Sequence, residues 1–260
     1  MVCLELFKKS FSRHLQYRAA HLINNIGSLV FGFMYIAIWQ GVLEGKEHSS
    51  PYSVTEMTHY MAATQSLLML SVFLTVGLDI PPAVRNGSIS LQMARPVHYF
   101  LYVTSQEAGR LFYNLFFRSL PIALVFAVTV GYPLPDDPST WLWGAVSVTL
   151  GVLIGLNLFY LIGISSCWTL EISGAHFINM TLMFALGGQM VPLDLLPSPL
   201  AGIALHFPFS GLIYYPVMVW LEKLPVVEAL IVPLFWGVLL TLFNLWLTGW
   251  ARRKLEVQGG

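Results

Sequence analysis

Six apolar runs constrain this chain more than anything else in it. They cover roughly residues 19–43, 54–78, 98–131, 140–167, 172–193 and 226–250, each with little charge. A helix of about 20 apolar residues matches the hydrocarbon core of a bilayer, about 30 Å thick. In that core every backbone N–H and C=O must find its partner within the protein, which a helix provides. Composition agrees: 56% of residues are hydrophobic, 10% are charged, and mean hydropathy is +0.69. A soluble domain carries about 25% charged residues. The expected fold class is an all-α integral membrane protein with six transmembrane helices. Zero net charge gives no reason to expect a nucleic-acid partner.

Ahead of the first run, Leu4, Phe7, Phe11 and Leu15 repeat at helical spacing, while Lys8, Lys9, Arg13 and Arg18 take other faces. This predicts an interfacial amphipathic helix within residues 1–18. Charge persists up to a span-length run, so this end does not read as a cleaved signal peptide. Ser53 and Glu56 form a capping-box pattern that opens the second span. That span carries Thr55, Thr58, His59, Gln65 and Ser66, a polar stripe that either joins helices or lines a path. Glu107, Arg110, Asn114 and Arg118 share one face of the third long helix. That helix exceeds a simple span and is expected to lie partly along the inner interface, with Arg110 and Arg118 snorkelling. A Glu107–Arg110 pair at an exposed surface would contribute only about 0–1 kcal/mol. In the fourth span Ser147, Gly151, Gly155 and Gly163 make a small-residue ridge for close helix approach, within the chain or across a dimer. Residues 194–225 contain Pro197, Pro199, Pro208 and Pro216, and predict a re-entrant hairpin or short outer helices between spans five and six.

Six spans with both termini inside place Lys8, Lys9, Arg13, Arg18, Arg85, Arg95, Arg110, Arg118, Arg252, Arg253 and Lys254 on the cytoplasmic side. Only Lys46 and Lys223 fall outside. That split follows the positive-inside rule. It also puts residues 79–97 (DIPPAVRNGSISLQMARPV) at the inner face between spans two and three. Pro81 and Pro82 are expected to stop the preceding helix. Asn86-Gly87 predicts a tight turn. The stretch reads as a compact folded loop whose Arg85 and Arg95 anchor either a partner's carboxylates or lipid phosphates.

Catalytic signals are weak. Residues 41–46 approach a phosphate-binding loop but have three residues between the glycines instead of four, and Glu47 stands where a Ser or Thr would hold magnesium. The histidines lack metal-site spacing. His59 and His176 lie inside spans and either relay protons or join helices. Cys3 and Cys167 both fall on the inner side, so no disulfide framework is expected.

The six spans, the amphipathic start, the inner run from Arg85 to Val97, the run from Gly188 to Pro197 and the proline-rich outer hairpin together resemble type-2 ATP-binding-cassette exporter permeases. The likeness is greatest to the bacterial subgroup with small separate permease subunits, and it covers essentially the whole chain. The resemblance implies a single permease domain over residues 1–260 in a bacterial plasma (inner) membrane. It implies a separate cytoplasmic ATPase subunit that holds the ATP and magnesium, leaving this chain without a nucleotide site or cofactor. It implies pairing with a second copy or a similar permease, and export of a lipid, glycoconjugate, drug or peptide. Carried onto this sequence, the ATPase-coupling contacts would be Arg85, Asn86, Gly87 and Arg95. The substrate path would lie between protomers, with Asn25, His59, Gln65, Asn179 and Gln189 as candidates. The alternative is an ion-gradient-driven secondary transporter or channel, which calls for inverted repeats and buried mid-membrane carboxylates. Neither is visible in the sequence.

Overall fold

The structure, a computed structural model, describes residues 2–16, 18–45, 50–132, 134–169 and 171–258. Lys46, Glu47, His48, Pro133 and the two C-terminal glycines lie outside the described residues, as do the side chains of Arg18 and His21. All regular structure among the described residues is helical. In chain order the helices are α1 (Val2–Leu15), α2 (Arg18–Leu43), α3 (Val54–Ser71), α4 (Ile80–Arg85), α5 (Ser88–Met93) and α6 (Tyr99–Asn114). A π-turn over Leu115–Ser119 leads into α7 (Leu120–Val130). Then come α8 (Pro138–Thr169), α9 (Ser173–Leu186), α10 (Ser198–His206), α11 (Tyr214–Trp220) and α12 (Val226–Gln258).

Five stretches are long and apolar enough to cross a membrane: Ile23–Leu43, Val54–Arg85, Tyr99–Val130, Pro138–Thr169 and Val226–Leu255. A sixth is added if Ser198–His206 and Pro208–Trp220, bent by 68°, count as one span. The run expected to form a fifth span over residues 172–193 is shorter than its hydropathy suggests. Its helix α9 has 14 residues, about 21 Å at 1.5 Å per residue. Gly187 and Gly188 follow, with Gly188 at φ 79°, and the chain turns into the outer hairpin. That hairpin is a pair of short helices, as the prolines predict.

The core gathers around α3. Met57, Tyr60 and Met61 are fully buried. Most of the polar stripe points inward: Thr58, Gln65 and Ser66 are buried, with the Thr58 and Ser66 hydroxyls donating back to the carbonyls of Val54 and Ala62 at 2.8 Å. The predicted capping box is present, with the Ser53 N–H donating to Glu56 Oε2 at 2.8 Å and the Glu56 N–H to Ser53 Oγ at 3.2 Å. At this outer end Lys223 pairs with Glu56 at 2.6 Å, and the Tyr52 hydroxyl donates to Asp194 Oδ2 at 2.7 Å. These contacts tie span two to the outer hairpin.

The small-residue ridge of α8 works within the chain. A Cβ added at Gly151 would meet the Gly211 carbonyl at 2.6 Å, and one at Gly155 the Ser71 carbonyl at 2.5 Å. Gly163 lies against the Gly77 carbonyl. On another side α8 is bonded to α12 by side chains. Asn244 Nδ2 donates to Asn157 Oδ1 at 2.8 Å, Asn157 Nδ2 to Thr241 at 3.0 Å, and Tyr160 and Thr248 share a 2.7 Å bond. The amphipathic helix α1 packs on α6, with Phe7 and Phe11 against Phe112 at ring distances of 5.4 and 5.9 Å and Gly109 under the Phe7 carbonyl.

Candidate functional site

The second span does not run straight into the inner loop. Helix α3 ends at Ser71, and Gly77, Leu78 and Asp79 take left-handed backbone at φ 56°, 50° and 58°. For leucine and aspartate that conformation is uncommon and costs strain. Pro81 and Pro82 therefore do not stop α3, as expected from sequence. They sit in the first turn of α4, where the missing N–H would have no helical partner anyway.

The break is held from α6. The buried Glu107 accepts the Thr75 N–H and the Thr75 hydroxyl, each at 2.9 Å, and Arg110 Nε at 2.9 Å. Arg110 also donates to the Phe73 carbonyl at 3.0 Å. The Glu107–Arg110 pair is thus a largely covered pair, not the exposed one expected, because the unwound chain after α3 lies across it. Asn114 Nδ2 reaches the Met69 carbonyl at 3.1 Å. Three of the four residues on the predicted polar face of this helix secure the broken end of span two.

Helices α4 and α5 form a corner at the inner end. Gly87 at φ 73° makes the turn, and Asn86 Oδ1 accepts the Ser88 N–H at 3.0 Å. Ile80, Pro81 and Ala83 of α4 and Ile89 and Met93 of α5 are buried, with α4 against α8 and α5 against α12. Arg85, Asn86 and Gly87 are left exposed at the tip. Leu91, on the open side of α5, is 76% exposed. It is an exposed apolar position on the same corner as Arg85. Glu171 lies near Arg85. Hydrogen bonds from the Ser173 hydroxyl and the Ser173 and Ile172 N–H groups hold its carboxyl below the usual carboxylate range, and the Arg85 charge adds to this.

Arg95 lies apart from this tip. Its guanidinium stacks over Tyr102 at 5.0 Å. It lines a cleft of about 360 Å³ with His98, Tyr99, Thr248 and Arg252. Partial burial holds the His98 imidazole below its ordinary value. Sequence reasoning missed Leu91, Glu171 and this cleft. Leu91 was readable as the outward position of a short amphipathic helix, whereas the other two depend on tertiary contact.

The five residues suggested for a substrate path are not brought together within the protomer. His59 lines an outer cleft of about 160 Å³ with Glu56, Asp136, Trp220, Glu222 and Lys223. Gln65 is buried against Gly32. Asn179 donates to Met183 on its own helix at 3.1 Å. Gln189 is buried, its Oε1 without a partner among the described residues. Asn25 is buried against the third long helix, where its Nδ2 donates to the Phe117 carbonyl at 2.8 Å.

A bundle of helices long and apolar enough to cross a membrane, with a braced helix corner at one end, is that of a multi-pass membrane protein. Residues 27–259 match the family described as ABC-2 family transporter protein. The chain belongs to that family and is an ABC transporter permease. No curated protein matches the chain.

Proposed function

We propose that this chain is the membrane subunit of an exporter driven by a separate cytoplasmic ATPase subunit that binds the ATP and magnesium. In this reading residues 1–260 form one permease domain in a bacterial plasma membrane, working with a second copy or a similar permease. The exported molecule is a lipid, glycoconjugate, drug or peptide. The observation that carries the reading is the α4–α5 corner. Its tip of Arg85, Asn86 and Gly87, with Leu91 on the same corner, is exposed at the basic end of the bundle, while its other face is packed on α8 and α12. Such a corner accepts a contact from the cytoplasm and delivers displacement to two spans at once. Arg95 has a supporting place at the loop's far end.

The test is affinity purification of the tagged chain from its native membrane, followed by identification of bound proteins and an ATPase assay. A stoichiometric soluble ATPase is expected. Arg85→Glu should release that subunit or uncouple its activity by at least tenfold, since it reverses the charge at the contact. If the chain comes out alone and transports without any ATPase, the reading fails and an ion-driven carrier replaces it.

A further inference from the structure

The third long helix carries an arginine within its apolar part, and none of the contacts described above uses its charge. Arg118 stands twelve residues before Val130, the outer end of α7, about 18 Å down the helix. In a hydrocarbon core about 30 Å thick its Cα therefore lies in the inner leaflet. Helical side chains lean toward the N-terminus, here the inner side. The guanidinium thus points inward from a backbone level that Asn25 shares, since the Asn25 amide bonds the Phe117 carbonyl. Arg118 Nε meets Asn25 Oδ1 at 3.4 Å. This places the charge in the inner leaflet.

Two features set this arginine apart. Among the described residues the ion pairs are Lys8–Glu5, Arg110–Glu107 and Lys223–Glu56. Arg118 is half-buried with a neutral amide as its partner, although an ionised group within a span ordinarily pairs with an opposite charge or a backbone carbonyl. The helix is also widened to a π-turn over Leu115–Ser119 at this point, an irregularity frequent at functional sites. Asn25 is fixed by that turn, because its Nδ2 donates to the Phe117 carbonyl. Its oxygen is thereby aimed at Arg118, and among the described residues no hydrogen bond takes the terminal guanidinium nitrogens. Exposed apolar side chains occur on the same two helices near this level: Ile23 and Ile26 on α2, and Phe112 and Phe116 on the third helix.

From the guanidinium, the amide that orients it and the apolar side chains near its level, we infer that Arg118 and Asn25 form a binding site for a phosphate-bearing amphiphile of the inner leaflet. The guanidinium takes the phosphate oxygens as a fork of N–H donors, and these apolar side chains lie along the acyl chains. This deepens the export reading by giving its substrate a class, an anionic lipid-like molecule, and in that respect it rests on that reading.

The test is native mass spectrometry of the purified chain in a neutral detergent, with phosphatidylglycerol, phosphatidylcholine or inorganic phosphate added. The parent should retain one phosphatidylglycerol per chain at about tenfold lower concentration than phosphatidylcholine. Arg118→Gln should abolish that preference. Arg118→Lys should keep part of it, and Asn25→Ala should weaken it severalfold. Lys8→Gln, at an exposed basic position of α1, should leave it unchanged. Melting and size-exclusion profiles matching the parent establish that each variant is folded. Should Arg118→Gln misfold, the folded Arg118→Lys and Asn25→Ala variants decide: full retention of the preference in both overturns the site. Undiminished preference in folded Arg118→Gln also overturns it. Displacement of the lipid by millimolar inorganic phosphate overturns the assignment to an amphiphile. Binding to the isolated chain needs no ATPase, so failure of the export reading would leave this result standing. A coupled ATPase on a chain without headgroup preference would remove the site and leave export intact.

Discussion

Glu107 offers the most direct test of how the second span is held. The residue is 6% exposed, and its carboxylate accepts from the Thr75 N–H, the Thr75 hydroxyl and Arg110. Glu107→Ala removes all these acceptors together. Breaking a buried ion pair from one side costs roughly 3–5 kcal/mol. Arg110 keeps the Phe73 carbonyl and some contact with solvent, so the lower end applies, about 3 kcal/mol. For a domain of this size about 2–4 °C of melting temperature follows each kcal/mol, giving a fall of roughly 6–12 °C. The assay is a thermal melt of the detergent-purified chain, read by tryptophan fluorescence. Glu107→Gln keeps an acceptor for Thr75 and should fall between parent and Glu107→Ala. The double variant Glu107→Ala/Arg110→Ala should be less destabilised than the two singles summed, by about 1–2 kcal/mol. If Glu107→Ala melts within about 2 °C of the parent, or the two singles simply add, the carboxylate does not brace the break.

Other outcomes follow from the same packing. Gly163→Ala should destabilise by about 1–3 kcal/mol or more, because its Cβ meets the Gly77 carbonyl, and the same melt should show no loss for Gly174→Ala, where nothing lies within 4 Å. Asn244→Leu should cost about 0.6–1.7 kcal/mol through the lost bonds to Asn157, and pairing it with Asn157→Leu should recover most of that. The depressed carboxyl of Glu171 favours the folded state fully above its unfolded value, about 4.3, and that contribution is lost as pH falls through the lower folded value. Acid melts below pH 5 should therefore lose part of their pH dependence in Glu171→Gln, whereas an unchanged slope would count against the Ser173 and Ile172 bonds.

What was legible in the sequence is what local pattern encodes. The long helices follow from hydropathy, the start of α3 from Ser53 and Glu56, and the corner between α4 and α5 from Asn86-Gly87. The ridge of α8 announced close approach, but its partners, the carbonyls of Ser71, Gly77 and Gly211, belong to segments whose placement needs the fold. Pro81 and Pro82 were ambiguous because proline both ends a helix and begins one. The choice was made by Gly77 and two further left-handed residues that carry no sequence mark of their own. Hydropathy ran through Gly187 and Gly188 and lengthened α9 beyond its helical end. Glu107 and Arg110 read as a surface pair since helical spacing says nothing of Thr75, 32 positions away, lying over them. The bonds from Asn157 to Asn244, 87 positions apart, were unreadable for the same reason. The site residues divide likewise: the inner tip is local, whereas Asn25 gains its meaning from Arg118 across two helices.

The contact of Gly163 with the Gly77 carbonyl gives the protein a stiff joint. Most packed helices meet through side chains, which take up small movements by changing rotamer, much as rubber bushings quiet a machine. Here two main chains touch with nothing between them. In the proposed coupling, a load applied at Arg85 would reach the fourth span as translation of its backbone, since Gly77 and Gly163 meet main chain to main chain. The same bare joint leaves no slack for wear: a single methyl group at Gly163 would act as a wedge that holds the mechanism in one position.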